Sequence, residues 1–180
     1  LDLHSSFKYN IIMEFNLTEF LSSKDPLKKF AHWYIKSLVK QKHLPVNTLY
    51  DNVNIVSNCY GVTLFRQNPF QVQLWLCKAN EKSPEHTHPD VDSYEVYFGG
   101  DIIFTKNGKK VKEKPEQLEN LKSSAWGWFM RINSDDKHEA IINKMNSSFL
   151  SIQYWKNSIP ITSIERNWLG NKFGENHRIN

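Results

Sequence analysis

Residues 84–100 read "PEHTHPDVDSYEVYFGG", from Pro84 to Gly100. His86 and His88 stand one residue apart, and Asp90, Asp92 and Glu95 follow closely. Along a strand, residues i and i+2 face the same side, so the two imidazoles project together. Neutral imidazole is a good ligand for first-row divalent metals. After Pro89 the chain is acidic and turn-forming, so it can bend there, and "SYEVYF" can return beside the first strand. A carboxylate on the inward face of that second strand would join the histidines. Glu95 and Tyr97 share one face. Asp92, Tyr94 and Val96 share the other. Only one set can face the histidines, and Asp92 sits in or near the turn. His138, in "NSDDKHEAII", stands at the start of a later strand and is the candidate third imidazole.

The segments around this stretch also read as strands. "NVNIVSN", "YGVTLFRQ" and "FQVQLWLCKA" are short, alternating and rich in β-branched and aromatic residues. In the last of these, Val72, Leu74 and Leu76 take one face, and Gln73, Trp75 and Cys77 the other; either could be inward. "SYEVYFGGDIIF" has a glycine pair between two strand-like halves. Asn107-Gly108 is the strongest short hairpin signal in the chain. "SAWGWFMRI", "HEAIINKM" and "SFLSIQYWK" add three more strands. Many short strands without long intervening helices predict a closed barrel or a double-sheet jelly roll.

Before the strands lies a helical segment, "SSKDPLKKFAHWYIKSLVKQKHLP". Asp25 can cap it, and Pro26 suits the first helical position. Leu27, Phe30, Ala31, Tyr34, Leu38 and Val39 recur at three- and four-residue spacing and form one face. Pro45 marks the stop. The organisation expected is a helical extension over residues 1–50, a barrel over 51–160 and a polar tail over 161–180. The chain opens with Leu; Met13 is one possible start, and residues 1–12 take no part in the fold reading. His4, His32, His43 and His177 lie outside the strand pattern and are given no ligand role.

The 180 residues include six Trp, seven Tyr and eleven Phe, enough apolar bulk for one sizeable core rather than a disordered chain. The net charge of +4 comes from scattered Lys and Arg interspersed with acids. "KNGKKVKEKPE" is basic but reads as an exposed hairpin, so nucleic acid is not an expected partner. No run of eighteen apolar residues and no apolar leader occurs, so neither membrane insertion nor export is expected. Cys59 and Cys77 are read as free thiols of a cytoplasmic protein, with Cys77 unreactive.

The metal-ligand pattern resembles the cupin superfamily, small double-stranded β-helix or jelly-roll barrels with a metal in the mouth. Read against the general cupin motif, His86, His88, Asp92 and Gly99 match, with Asp in place of Glu. A second alignment is closer. The archaeal cupin-type phosphoglucose isomerases carry HxH, six residues, then Glu-Val-Tyr, and here His86-Thr-His88 is followed by six residues and Glu95-Val96-Tyr97. That resemblance implies a metal held by His86, His88, Glu95 and His138, with Asp92 the alternative carboxylate or a turn residue. The metal would be Fe, Mn, Ni or Zn. It also makes Tyr97 a candidate proton donor beside Glu95, and implies a homodimer. The segment "CKANEKSPE" ahead of HxH lacks the family's Thr- and Gly-rich phosphate-contacting residues, and "RINSDDKH" lacks the usual Pro and Gly.

Such a site can support three kinds of function on a small polar molecule. One is isomerase or epimerase chemistry on a sugar or related hydroxy-carbonyl, the leading expectation. The others are an Fe(II)-dependent dioxygenase and a non-catalytic binding or sensing barrel. The first set of ligands is common to all three. Trp126 and Trp128 share a face and could stack on a ring in the mouth. Arg131 and Lys137 could meet an anionic substrate near His138.

Overall fold

The structure is a computed structural model, and it describes residues 14–41, 45–48, 50–51, 59–111, 129–159 and 178–179. Two helices come first, α1 (Leu17–Leu21) and α2 (Pro26–Gln41). The strands are β1 (Tyr50–Asp51), β2 (Cys59–Gln67), β3 (Phe70–Cys77), β4 (His86–Thr87), β5 (Val91–Gly99) and β6 (Ile102–Lys106). They continue as β7 (Lys109–Lys110), β8 (Phe129–Ile132), β9 (His138–Ile142), β10 (Ser147–Trp155) and β11 (Arg178–Ile179). One sheet has the order β1-β2-β3-β10-β5-β8 and the other β11-β4-β9-β6-β7, with antiparallel pairing throughout. From β3 to β10 the chain passes back and forth between the sheets, β6 and β7 counting as one visit to the second.

Local chemistry accounts for the turns. Asn107 and Gly108 have φ of 51° and 73°, the left-handed pair that a tight hairpin between β6 and β7 requires. At Gly100 φ is +106°, and a Cβ there would sit 2.3 Å from the Asn146 carbonyl oxygen. Only glycine fits that corner.

The six-stranded sheet is covered on both faces, and its alternation decides what each cover is made of. Phe70, Val72, Tyr94, Val96, Leu150 and Ile152 point outward and form one core with the helices. The capping reading of α2 holds, because the Lys28 N–H donates to Asp25 Oδ1 at 3.0 Å. Leu27, Phe30, Ala31 and Tyr34 are buried, and Trp33 and Ile35 widen the stripe beyond the expected face. Phe30 stacks on Phe70 at 4.4 Å between ring centroids. A register shift between Thr63 and Phe65 lets both Leu64 and Phe65 join this outer core. The short helix α1 has only Leu17, Phe20 and Leu21 at helical spacing, too short a run to identify it by period; the Asn16 side chain caps it by accepting the Glu19 N–H.

The inward face of the same sheet is largely polar in its middle. Thr63, Gln73, Ser151 and Glu95 stand side by side in register across β2, β3, β10 and β5. Gln153 Nε2 donates to Gln73 Oε1 at 2.8 Å, and Gln71 Nε2 donates to Gln153 Oε1 at 3.0 Å. These amides are nearly inaccessible, and their mutual bonds offset part of the cost of burying them, with Gln71 Oε1 left without a partner among the described residues. Beyond them an apolar cluster joins Cys59 and Cys77 to Ile102, Phe104, Ala140 and Ile142 of the second sheet.

Candidate metal centre

His86 on β4 pairs directly with His138 on β9. His88 lies one residue past the end of β4. Together the three rings form a tight group, with centroids 4.3 Å apart for His86 and His138, 4.8 Å for His86 and His88, and 4.7 Å for His88 and His138. One ring nitrogen of each lies within 4.8 Å of the others. His86 and His138 are buried; His88 is partly exposed.

Backbone carbonyls set the ring orientation. His86 Nδ1 faces the Pro84 carbonyl at 2.7 Å, and His138 Nδ1 faces the Asp136 carbonyl at 3.1 Å. A ring nitrogen facing a carbonyl must donate, so each Nδ1 carries the proton and each Nε2 carries a lone pair. Burial lowers the His86 pKa to about 4, against a smaller opposing effect of the Pro84 carbonyl. Burial also lowers His138 to about 3, helped by the nearby His86. At neutral pH both rings are neutral. Neutral imidazoles oriented by second-nitrogen bonds are the donor set that divalent first-row metals prefer, and these residues fit such an ion.

Glu95 reaches the same cavity from the opposite sheet. Its Oε1 accepts the hydroxyls of Ser93 at 2.7 Å and Ser151 at 2.9 Å. Its Oε2 is buried and has no hydrogen-bond partner among the described residues. Burial raises its pKa to about 7, and the two serines moderate the rise. The close group of candidate ligand atoms consists of the three histidines, and Glu95 lies outside it.

The cavity has a volume of about 60 Å³. Its polar side is made by the three histidines and Glu95, and its wall by Trp75, Phe104, Phe149, Ile142, Ala140 and the two cysteines. Ser83 Oγ accepts the Ala140 N–H, and Ser151 Oγ is spent on Glu95. Cys59 and Cys77 are free and directly opposite one another. Their mutual hydrogen bond and burial hold the Cys77 thiol far above its usual range, so it stays protonated and acts as apolar wall.

A histidine pair on β4 and a third histidine on β9 meet inside two sheets that the chain visits by turns. The barrel has the cupin fold. The cupin barrel is similar to KdgF from Halomonas sp., with 10% identity over 64% of this chain and 90% of that one and a TM-score of 0.47. It is also similar to a sugar phosphate isomerase of the cupin superfamily from Silicibacter pomeroyi (14% identity, 59% of this chain, 71% of that one, TM-score 0.45). A third likeness is the cupin domain of Cnp3 from Schizosaccharomyces pombe (13% identity, 58% of this chain, 71% of that one, TM-score 0.44). No family model matches the chain, and no curated protein does.

The remaining residues singled out from the sequence sit elsewhere in the cupin barrel. Asp92 faces the outer side with Tyr94. Its Oδ1 accepts the Ser134 N–H at 2.9 Å and pairs with Lys156 at 2.9 Å. Tyr97 packs against the inner cluster but is not part of the cavity lining, and its hydroxyl donates to the Gly100 carbonyl at 2.6 Å. Arg131 pairs with Asp25 on the helical side and lies over the Tyr94 ring. Lys137 is exposed and does not line the cavity. Trp126, Trp128, His4, His43 and His177 lie outside the described residues. Among the described residues, no helix is long and apolar enough to cross a membrane. Sequence reasoning missed Ser93, Ser151, Phe104 and Phe149. Ser93 was within reach, being two residues from Glu95 on the same face; Ser151 arrives from a strand far along the chain.

Proposed function

We propose that this chain is a metal-dependent enzyme that moves a proton in a small hydroxy-carbonyl compound, an isomerase or epimerase reaction. The observation that carries this reading is Glu95: a buried carboxyl with one oxygen fixed and one unpartnered among the described residues, across a cavity from three imidazoles. His86, His88 and His138 would hold the ion. Bound there, a divalent metal would polarise a substrate oxygen and acidify the neighbouring carbon. Glu95 takes and returns the proton at Oε2, and a pKa of about 7 lets it hold either state near neutral pH. Ser93 and Ser151 keep Oε1 occupied, so the carboxyl does not rotate its reactive oxygen away. The apolar wall keeps water from competing for the proton.

The test is solvent deuterium incorporation into 1-hydroxy-2-butanone, followed by proton NMR with metal-loaded protein. Wild type should exchange the hydrogen beside the carbonyl. Glu95→Gln should slow exchange by about 100- to 10,000-fold while metal content stays within a few-fold of wild type. Equal exchange by both proteins sinks the proposal.

A second reading, an Fe(II)-dependent dioxygenase acting on a small thiol, diol or enol, is favoured by the donor group being histidine alone. Oxygen uptake by the Fe(II)-loaded protein, with no deuterium exchange, would select it.

A further inference from the structure

We infer that the cavity selects a hydroxy-ketone with an apolar tail over polyols and sugar phosphates. The inference rests on the proposed proton-transfer reading and narrows its substrate. The cavity's two ends differ in kind. One end offers the ion that the three histidines would hold and Oε2 of Glu95, partners for a carbonyl and its neighbouring hydroxyl. The other end is Trp75, Phe104, Phe149 and Ile142, with the two cysteines.

Of the two serines in the lining, Ser151 donates to Glu95 and Ser83 accepts the Ala140 N–H. A second hydroxyl set among Trp75, Phe104, Phe149 and Ile142 would lose its water against carbon, which is costly for a polar group. A methyl at the same place would be desolvated against aromatic and aliphatic carbon, which is favourable. The sequence agrees from another side, since "CKANEKSPE" ahead of His86 carries no phosphate-contacting pattern.

The experiment compares two compounds of the same size. 1-Hydroxy-2-butanone and dihydroxyacetone differ by a terminal methyl in place of a hydroxyl. Binding to zinc-loaded protein is measured by calorimetry, beside hydroxyacetone, 1-hydroxy-2-pentanone and glucose 6-phosphate. The butanone should bind about 10-fold or more tighter than dihydroxyacetone and about 4-fold tighter than hydroxyacetone. The pentanone should bind at least as tightly as the butanone, and glucose 6-phosphate should give no heat. Dihydroxyacetone binding as tightly as the butanone, in protein that takes up zinc and exchanges deuterium, overturns the inference and leaves the proton-transfer reading standing. Failure to take up zinc overturns both.

Discussion

The Nε2 atoms of His88 and His138 lie 2.9 Å apart. His138 donates through Nδ1 to Asp136, so its Nε2 offers a lone pair, and His88 supplies the proton of this contact. A metal at the three rings takes that lone pair and displaces that proton. Zinc titration followed by nitrogen NMR of the imidazoles should show the His88 Nε2 proton lost on binding, while Nδ1 of His86 and His138 stays protonated. Retention of the His88 Nε2 proton at full zinc loading would mean that the rings do not bind metal together.

Metal affinity should separate the histidines from Asp92. Outer partners of a ligand are typically worth 10- to 100-fold in affinity, and a ligand itself more. His138→Ala should therefore lose at least about 100-fold, measured by competition with a chelator. Asp92→Asn should leave affinity within about 3-fold, because Asp92 points to the outer face and serves Ser134 and Lys156. Loss of metal in Asp92→Asn would place the site on the other face of β5.

Three buried groups give the metal-free protein a stability maximum in pH. His86 and His138 ordinarily titrate at 6.5 but fall to about 4 and 3 when folded. Their stabilising effect is present above 6.5 and is lost as pH falls toward those values. Glu95 moves the other way, from 4.5 to about 7. Its effect is present below 4.5 and is lost as pH rises through 7. Between 4.5 and 6.5 the unfolded chain binds the two imidazole protons against one on folded Glu95, so stability rises with pH by about 1 kcal/mol per unit. Above 6.5 only Glu95 counts, and stability falls. Urea unfolding should peak near pH 6.5. Glu95→Gln should remove the fall and gain about 2–3 kcal/mol at pH 8 relative to wild type. A fall in Glu95→Gln as steep as wild type's would show that Glu95 ionises as an ordinary carboxyl.

Gly100→Ala should destabilise by about 3 kcal/mol or more. The added Cβ meets the backbone of Asn146 and Ser147 at 2.3 and 2.5 Å, where no flexible side chain can yield, and φ of +106° is strained for any L side chain. Gly108→Ala, also at positive φ but with open space around it, should cost less, by about 1 kcal/mol. Equal costs in denaturant unfolding would mean that the corner at Gly100 opens readily.

The strands and the histidines were legible because both depend on short-range spacing. Alternation identified Phe70 to Cys77, and HxH placed two imidazoles on one side without any knowledge of the partner sheet. The direction of β3 was not legible. Its apolar face looked equally fit for a barrel interior, yet it turns outward because α2 carries Phe30, Tyr34 and their neighbours to meet it. The glutamines are then left inside, where only pairing across β10 makes them tolerable. Glu95 was read from its place after HxH, but its elevated pKa depends on burial between the two sheets, which Ser151 only moderates. Nothing in residues 84–100 specifies those.

Neighbouring positions on β5 answer to separate demands. Tyr94 and Val96 hold the helices, and Ser93 and Glu95 address the proton, so a single residue step crosses from cohesion to chemistry. The sheet is a partition with unrelated tenants on its two sides. Drift in the aromatic packing can proceed without disturbing the carboxyl, and the cavity can be retuned to a new compound without loosening the helices. A barrel arranged this way can change its substrate and its thermal tolerance in separate evolutionary episodes, using alternate letters of the same strand.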